Sequence, residues 1–195
     1  MKLTYNAPFI LTYTFVCLAI TAIDQSTDPN FAESFFMVYP FNTAYMEFSN
    51  PLTYFRLFSH AMGHGGWEHF LGNFSLILLL GPILEEKYGT KQLLSMSFVT
   101  ALITGILNAL LFNNALLGAS GVVFMLILLS SFTNMRAGVI PLTFILVAAL
   151  FLGKEIYTTL VVTNNVSEFA HIIGGVFGAI FGYFAATPKP NSSNA

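Results

Sequence analysis

The sequence predicts an all-α integral membrane protein, six transmembrane helices in one bundle with a large outer loop after the first helix. Two observations predict it. The 195 residues are 55% apolar and 15% aromatic but only 8% charged, where a soluble domain carries about 25% charged residues. The 7 basic and 9 acidic residues also leave long uncharged runs between them, and a bilayer-spanning helix needs about 20 such residues. So few charges exclude a soluble globule and a disordered chain. A net charge of −2 offers no basic surface for phosphates, so no nucleic-acid partner is expected. The single cysteine, Cys17, excludes a disulfide framework and a Cys-based zinc site.

The spans follow from the uncharged runs. Lys2 and Asp24 bound the first, 21 residues. Glu68 to Glu85 leaves 16, with more uncharged sequence upstream. Lys91 to Arg136 leaves 44 residues, enough for two spans. Asn113-Asn114 is the polar turn signal that divides them. Arg136 to Lys154 leaves 17, and Glu168 to Lys189 leaves 20. The expected spans are 5–23, 66–85, 92–112, 116–133, 139–156 and 168–186. The first run shares the basic start of a signal peptide. It lacks an A-x-A cleavage pattern and is long for that purpose, so it is read as a retained span.

Six spans place both termini on one side, and basic residues favour the cytoplasmic face. Lys2, Lys87, Lys91, Arg136 and Lys189 fall on the side of the termini, and only Arg56 and Lys154 fall opposite. Both termini are therefore expected in the cytoplasm, and segment 24–65 outside. That segment contains Phe31, Phe35, Phe36, Met37, Val38, Tyr39 and Phe41. It is too apolar for a free linker and is expected to be ordered and partly interfacial. A single membrane domain over 1–187 and a polar tail over 188–195 are expected.

Polar groups inside a bilayer are costly and point to function. His69 and Asn73 lie one and five residues after Glu68, His171 three after Glu168, and Ser120 seven after Asn113. All three segments enter from the outer side. With a rise of about 1.5 Å per residue, the four side chains share one layer beneath the outer surface. Ser120 sits in Gly118-Ala119-Ser120-Gly121, and His171 in Ala170-His171-x-x-Gly174-x-x-x-Gly178. Gly174 and Gly178 make a G-x-x-x-G face that admits close helix approach. A serine hydroxyl brought against an imidazole is a nucleophile with its general base. His69 and Asn73, at i and i+4, share a helix face and both can donate to a developing oxyanion. Taken singly, each of these patterns is also ordinary span packing.

Together the patterns resemble the rhomboid intramembrane serine proteases, in the six-span form common in bacteria. The resemblance runs from Phe55 to about Phe184. It rests on the His60–Asn73 run, on Gly118-Ala119-Ser120-Gly121 and on the Ala170–Gly178 pattern, in order and on the right spans. Phe55-Arg56 and the Gly81–Gly89 turn add to it. The resemblance implies a rhomboid-like bundle with Ser120 as nucleophile and His171 as general base. It implies an oxyanion hole of His69, Asn73 and the Ser120 amide. His60 and His64 take structural or water-organising roles, Glu85 a structural one, and Gly118, Gly121, Gly174 and Gly178 support the site. Phe124 stands where many members place a tyrosine that stacks on the catalytic histidine, and Phe55 where many place a tryptophan.

The implied activity is cleavage of transmembrane segments of membrane proteins, with no metal or organic cofactor. The fifth span and the loop near 158–167 would gate and cap the site. The implied location is the bacterial inner membrane, with the site opening outward. Two other classes are weighed. A catalytically inert rhomboid-like client-binding protein would usually lack the serine or the histidine, and both are present. A channel would carry ionisable residues at the bilayer midplane, whereas this polar layer lies near one face.

Overall fold

The computed structural model describes residues 4–27, 29–132, 140, 142–161 and 168–186. Among these every regular element is helical. The helices are α1 (Pro8–Ser26), α2 (Phe31–Phe36), α3 (Pro51–Ser59), α4 (Trp67–Tyr88), α5 (Thr90–Leu111), α6 (Ser120–Ser131), α7 (Leu142–Val161) and α8 (Glu168–Ala186), with a 3₁₀ turn at His60–Met62. Six of them correspond to the six expected spans. α1, α4 and α5 are long and apolar enough to cross a membrane, and α6 and most of α8 are shorter apolar helices.

Local chemistry sets the helix ends. Pro8 and Pro51 open α1 and α3, where a fixed φ suits the first turn and no amide is wasted. The Asn50 side chain accepts from Leu52 N at 2.9 Å and caps α3. α4 and α5 are joined by Gly89 alone, at φ 84°, a left-handed conformation that glycine adopts without a Cβ penalty.

Glu85 ties that turn to the start of α1. Its carboxylate is buried and accepts from Phe9 N at 2.8 Å, Ile10 N at 3.0 Å and the Thr90 hydroxyl at 2.7 Å. Two of those donors are amides of the first turn of α1, which have no partner within their own helix.

α6 is the axis of the bundle. Every residue from Gly121 to Leu129 is buried, as expected of a helix that is apolar all round. It packs against α4, α5, α7 and α8. It starts at Ser120, four residues later than the span expected from Leu116. The cause is the preceding chain. Leu116 is held extended against Val38 by two bonds, Val38 N to Leu116 O at 3.0 Å and Leu116 N to Val38 O at 2.9 Å, and Gly118 follows at φ 127°.

Segment 24–65 is ordered, as its apolar content required, and it contains two helices the charge pattern did not reveal. Val38 and Phe36 are buried, but Phe35 is exposed. The segment is pinned at several points. The Arg56 guanidinium donates to the Ser34 carbonyl and lies 5.4 Å over the Tyr39 ring. Ala32 N donates to buried Asp24 at 2.8 Å, Phe41 N to Ala109 O at 2.8 Å, and the Tyr13 hydroxyl to Ala61 O at 2.6 Å. The expected tail over 188–195 and most of the expected cap, 162–167, lie outside the described residues.

Glu85→Ala should strip acceptors from three donors at once. A loss of at least ~2 kcal/mol is expected, with Glu85→Gln intermediate. Thermal unfolding in detergent micelles measures it, and unchanged midpoints in both variants would show that the carboxylate does not join the helices.

Candidate active site

The site begins with a close approach of two backbones. A Cβ at Gly174 would collide with the Gly121 carbonyl, one at Gly178 with the Met125 carbonyl, and one at Gly182 with the Phe132 ring. The pairs advance together along both chains, so α6 and α8 run parallel with glycine at every fourth residue of α8. Such small-residue faces let helices pack backbone to backbone in a bilayer. Gly121 also lies near the Ala170 carbonyl, so the segment bearing His171 is level with the start of α6.

That register sets the predicted pair at one level of the bundle. Ser120 and Phe124 are four residues apart on α6 and share a face. The Phe124 ring lies flat on the His171 imidazole, with centroids 4.4 Å apart and planes 2° from parallel. The histidine therefore stands on the face of α6 that carries Ser120. Both Ser120 and His171 are partly exposed. The phenylalanine supplies the stacking surface expected of position 124.

The third wall comes from α4. A Cβ at Gly118 would stand 2.6 Å from His69 Nε2 and 3.8 Å from Asn73 Nδ2. His69 and Asn73 thus flank the backbone just before Ser120. The Asn73 side chain is buried and its Nδ2 has no hydrogen-bond partner in the structure. A buried donor without a partner costs roughly 1–3 kcal/mol, and functional sites are where such costs are retained. Ser120 opens α6, where first-turn amides lack helical partners and the helix dipole favours negative charge.

His60 and His64 brace this wall. The His60 carbonyl accepts from Gly118 N at 2.9 Å, and its Nε2–H donates to Ala101 O at 3.0 Å. His64 is fully buried, edge-on to His69 at 5.0 Å and to Phe74 at 5.5 Å between ring centroids. Burial pushes the His60 imidazole down to about 4. Burial, and then the neighbouring His69, push His64 down to about 3. Among the described residues no three His, Cys, Asp or Glu side chains gather as a metal site would require.

Two contributors escaped the sequence reading. Gly182 extends the α8 glycine face by one more turn, and its spacing after Gly178 was the available signal. The Val38–Leu116 pairing carried none.

Comparison with known proteins identifies the family. The Rhomboid domain pattern matches residues 51–188. The chain belongs to the rhomboid family. It resembles Rhomboid-related protein 2 of Mus musculus, 30% identical over 156 residues that make up 69% of this chain and 51% of that protein. It also resembles the rhomboid protease GlpG of Haemophilus influenzae, 27% identical over 142 residues, 70% of this chain and 72% of that protein. The chain thus spans about half the length of the mouse relative. Family and apolar helices together make it an integral membrane protein.

Gly174→Ala should force α6 and α8 apart at a cost of about 1–3 kcal/mol, read as a lower unfolding midpoint. The two buried histidines give a pH dependence with a definite sign. Their folded values lie below the ordinary 6.5, so the unfolded chain takes up protons first as pH falls. The stability they contribute is complete above about pH 6.5 and is lost progressively toward pH 4 and 3. His64→Phe should flatten that acid limb in unfolding measured from pH 7.5 to 4.5. Equal slopes for variant and wild type would exclude His64 as a cause.

Proposed function

We propose that this rhomboid-family chain is an intramembrane serine endopeptidase that cleaves transmembrane segments of membrane proteins. Ser120 is its nucleophile and His171 its general base. The observation that carries the reading is the flat stack of His171 on Phe124, one helical turn from Ser120. It holds the imidazole in a fixed plane on the serine's side of α6.

The chemistry follows from the groups present. Ser120 Oγ attacks a peptide carbonyl while His171 takes its proton. His69, the orphan Asn73 amide and the Ser120 N–H face the oxygen on which charge develops. His171 then returns the proton to the leaving amine, and water repeats the sequence on the acyl-enzyme. His60 and His64 stay neutral throughout the working range and hold the wall rather than transfer protons. A transmembrane helix hides its carbonyls in its own hydrogen bonds. The substrate must therefore unwind near the scissile bond, which favours helix-breaking and small residues there.

The positions of the basic residues support an orientation with both termini in the cytoplasm and the site facing out. A bacterial inner membrane fits the resemblance, from Phe55 to about Phe184, to the six-span form common in bacteria. One membrane domain over 1–187 fits the continuity of the bundle. α7, with the loop that follows it, is the proposed gate and cap.

Ser120→Ala and His171→Ala should each reduce cleavage of a model transmembrane substrate to background with the fold retained. Asn73→Ala should lower kcat by about 10²–10³-fold. A fluorophosphonate probe should label the wild type and not Ser120→Ala. Full cleavage by purified Ser120→Ala would falsify the assignment. A folded wild type that neither cleaves nor labels would point instead to a client-binding relative.

A further inference from the structure

We propose that the end of the bundle bearing the site selects substrates by charge, favouring transmembrane segments flanked on that side by lysine or arginine, a preference that rests on the protease reading above.

The charges of the chain are divided between its two ends. Of the six spanning helices, α4, α6 and α8 begin at the site end, and α1, α5 and α7 finish there. Among the described residues that end carries Asp24, Glu33, Glu47 and Glu68, with Glu168 at the first position of α8, against Arg56. Lys154 and Glu155 are adjacent on α7 and offset each other. The opposite end carries Glu85, Glu86, Lys87 and Lys91. Membrane orientation accounts only for the basic residues, since acidic residues contribute little to it. Helix dipoles do not neutralise the carboxylates, because three helices start and three finish at this end. The result is a net negative surface beside the site, which draws cations and repels anions.

Two of these carboxylates are placed to act on a substrate. Glu33 and Glu68 are exposed. Asp24, by contrast, is buried and accepts from Ala32 N and Gln25 Nε2, both at 2.8 Å. Arg56 is engaged with the Ser34 carbonyl and the Tyr39 ring. Glu68 directly precedes His69, whose ring occupies the space beside Gly118, two residues before Ser120. Glu33 lies one turn before Phe36, and Gly63 stands against both Phe36 and Leu117. Both acids thus belong to elements that wall the chain leading to Ser120.

Asn73 marks the path of a substrate independently. It is 7% exposed, and its Nδ2 has no hydrogen-bond partner. That nitrogen lies 3.8 Å from where a Cβ on Gly118 would stand. A buried donor left over there is matched by an acceptor from outside, such as a peptide carbonyl. An extended peptide advances about 3.3 Å per residue, so four or five residues beyond that carbonyl cover about 15 Å of the acidic end. With the site facing out, basic residues are the minority on that flank of membrane proteins, which makes the preference selective.

The test uses one model transmembrane segment with three alternative flanks on the site side, bearing two lysines, two glutamines or two glutamates. Binding to the full Ser120→Ala chain in a neutral detergent is read by fluorescence anisotropy. At about 50 mM salt the lysine flank should bind about tenfold more tightly than the glutamate flank, with glutamine between, and at about 500 mM the ratio should fall to about twofold. Adding Glu33→Gln and Glu68→Gln together should reduce the low-salt ratio about threefold. Glu86→Gln, at the opposite end, should leave it unchanged. Each ratio is taken within one variant and is independent of the fraction folded, and the salt dependence needs no change at Glu33 or Glu68. Equal binding of the three flanks, or tighter binding of the glutamate flank, would overturn the charge preference. A ratio unmoved by the Glu33 and Glu68 changes would overturn their part in it. Cleavage of the glutamine-flanked segment by the wild type tests the protease reading separately, since binding to Ser120→Ala needs no proteolysis.

Discussion

The backbone contact between α6 and α8 is the constraint on which the rest depends. Gly121 against Gly174, and Met125 against Gly178, leave no room for a Cβ on α8. Apolar burial against lipid supplies no net drive between helices, so association rests on close packing and polar contacts. Where the packing is this close, the axial register of the two helices is set by their glycines. Ser120 and His171 lie immediately beside these contacts. Their common level is thus a consequence of helix packing.

The second determinant is the length of α6. Its 12 residues span about 18 Å at 1.5 Å each, short of the roughly 30 Å of hydrocarbon. The chain that leads into α6, 112–119, is irregular. Irregular backbone at membrane depth is tolerated only when protein or a polar cavity covers it. Here the first long loop provides the cover, through Val38 with Leu116 and through Phe41 with Ala109. The loop is therefore part of what makes a recessed serine possible, and the bonds of Arg56 and Asp24 that order it serve the site indirectly.

These two determinants differ in how far they can be read from residues. Charge spacing located the six helices that match the expected spans because a charge in hydrocarbon is costly, and that penalty acts locally along the chain. Glycines at i and i+4 on α8 likewise announced a packing face. Span parity then led to the expectation that Ser120, His171, His69 and Asn73 share one depth. The start of α6 was misplaced by four residues because it is decided by a pairing 78 positions apart, Val38 with Leu116, which leaves no periodic trace. The same holds for Glu85. The family resemblance implies a structural role for it, and only the fold reveals the two α1 amides it caps. Nothing in the spacing of His64 distinguishes a buried, unprotonated ring from a catalytic one.

Gly118 is the point where these levels meet. Its amide is held by the His60 carbonyl, its φ of 127° turns the chain into α6, and its missing Cβ makes space for His69. A larger residue would be strained in its backbone and would also push on the His69 ring. The position therefore couples three otherwise separate elements: the first loop through His60, α4 through His69 and Asn73, and α6 through Ser120 two residues on. A displacement of the loop reaches Ser120 along this short path of backbone, without passing through the apolar core. The glycine in the Gly-x-Ser-Gly pattern is thus explained by geometry on both sides of it. One glycine admits the donors of α4, and the other admits the backbone of α8.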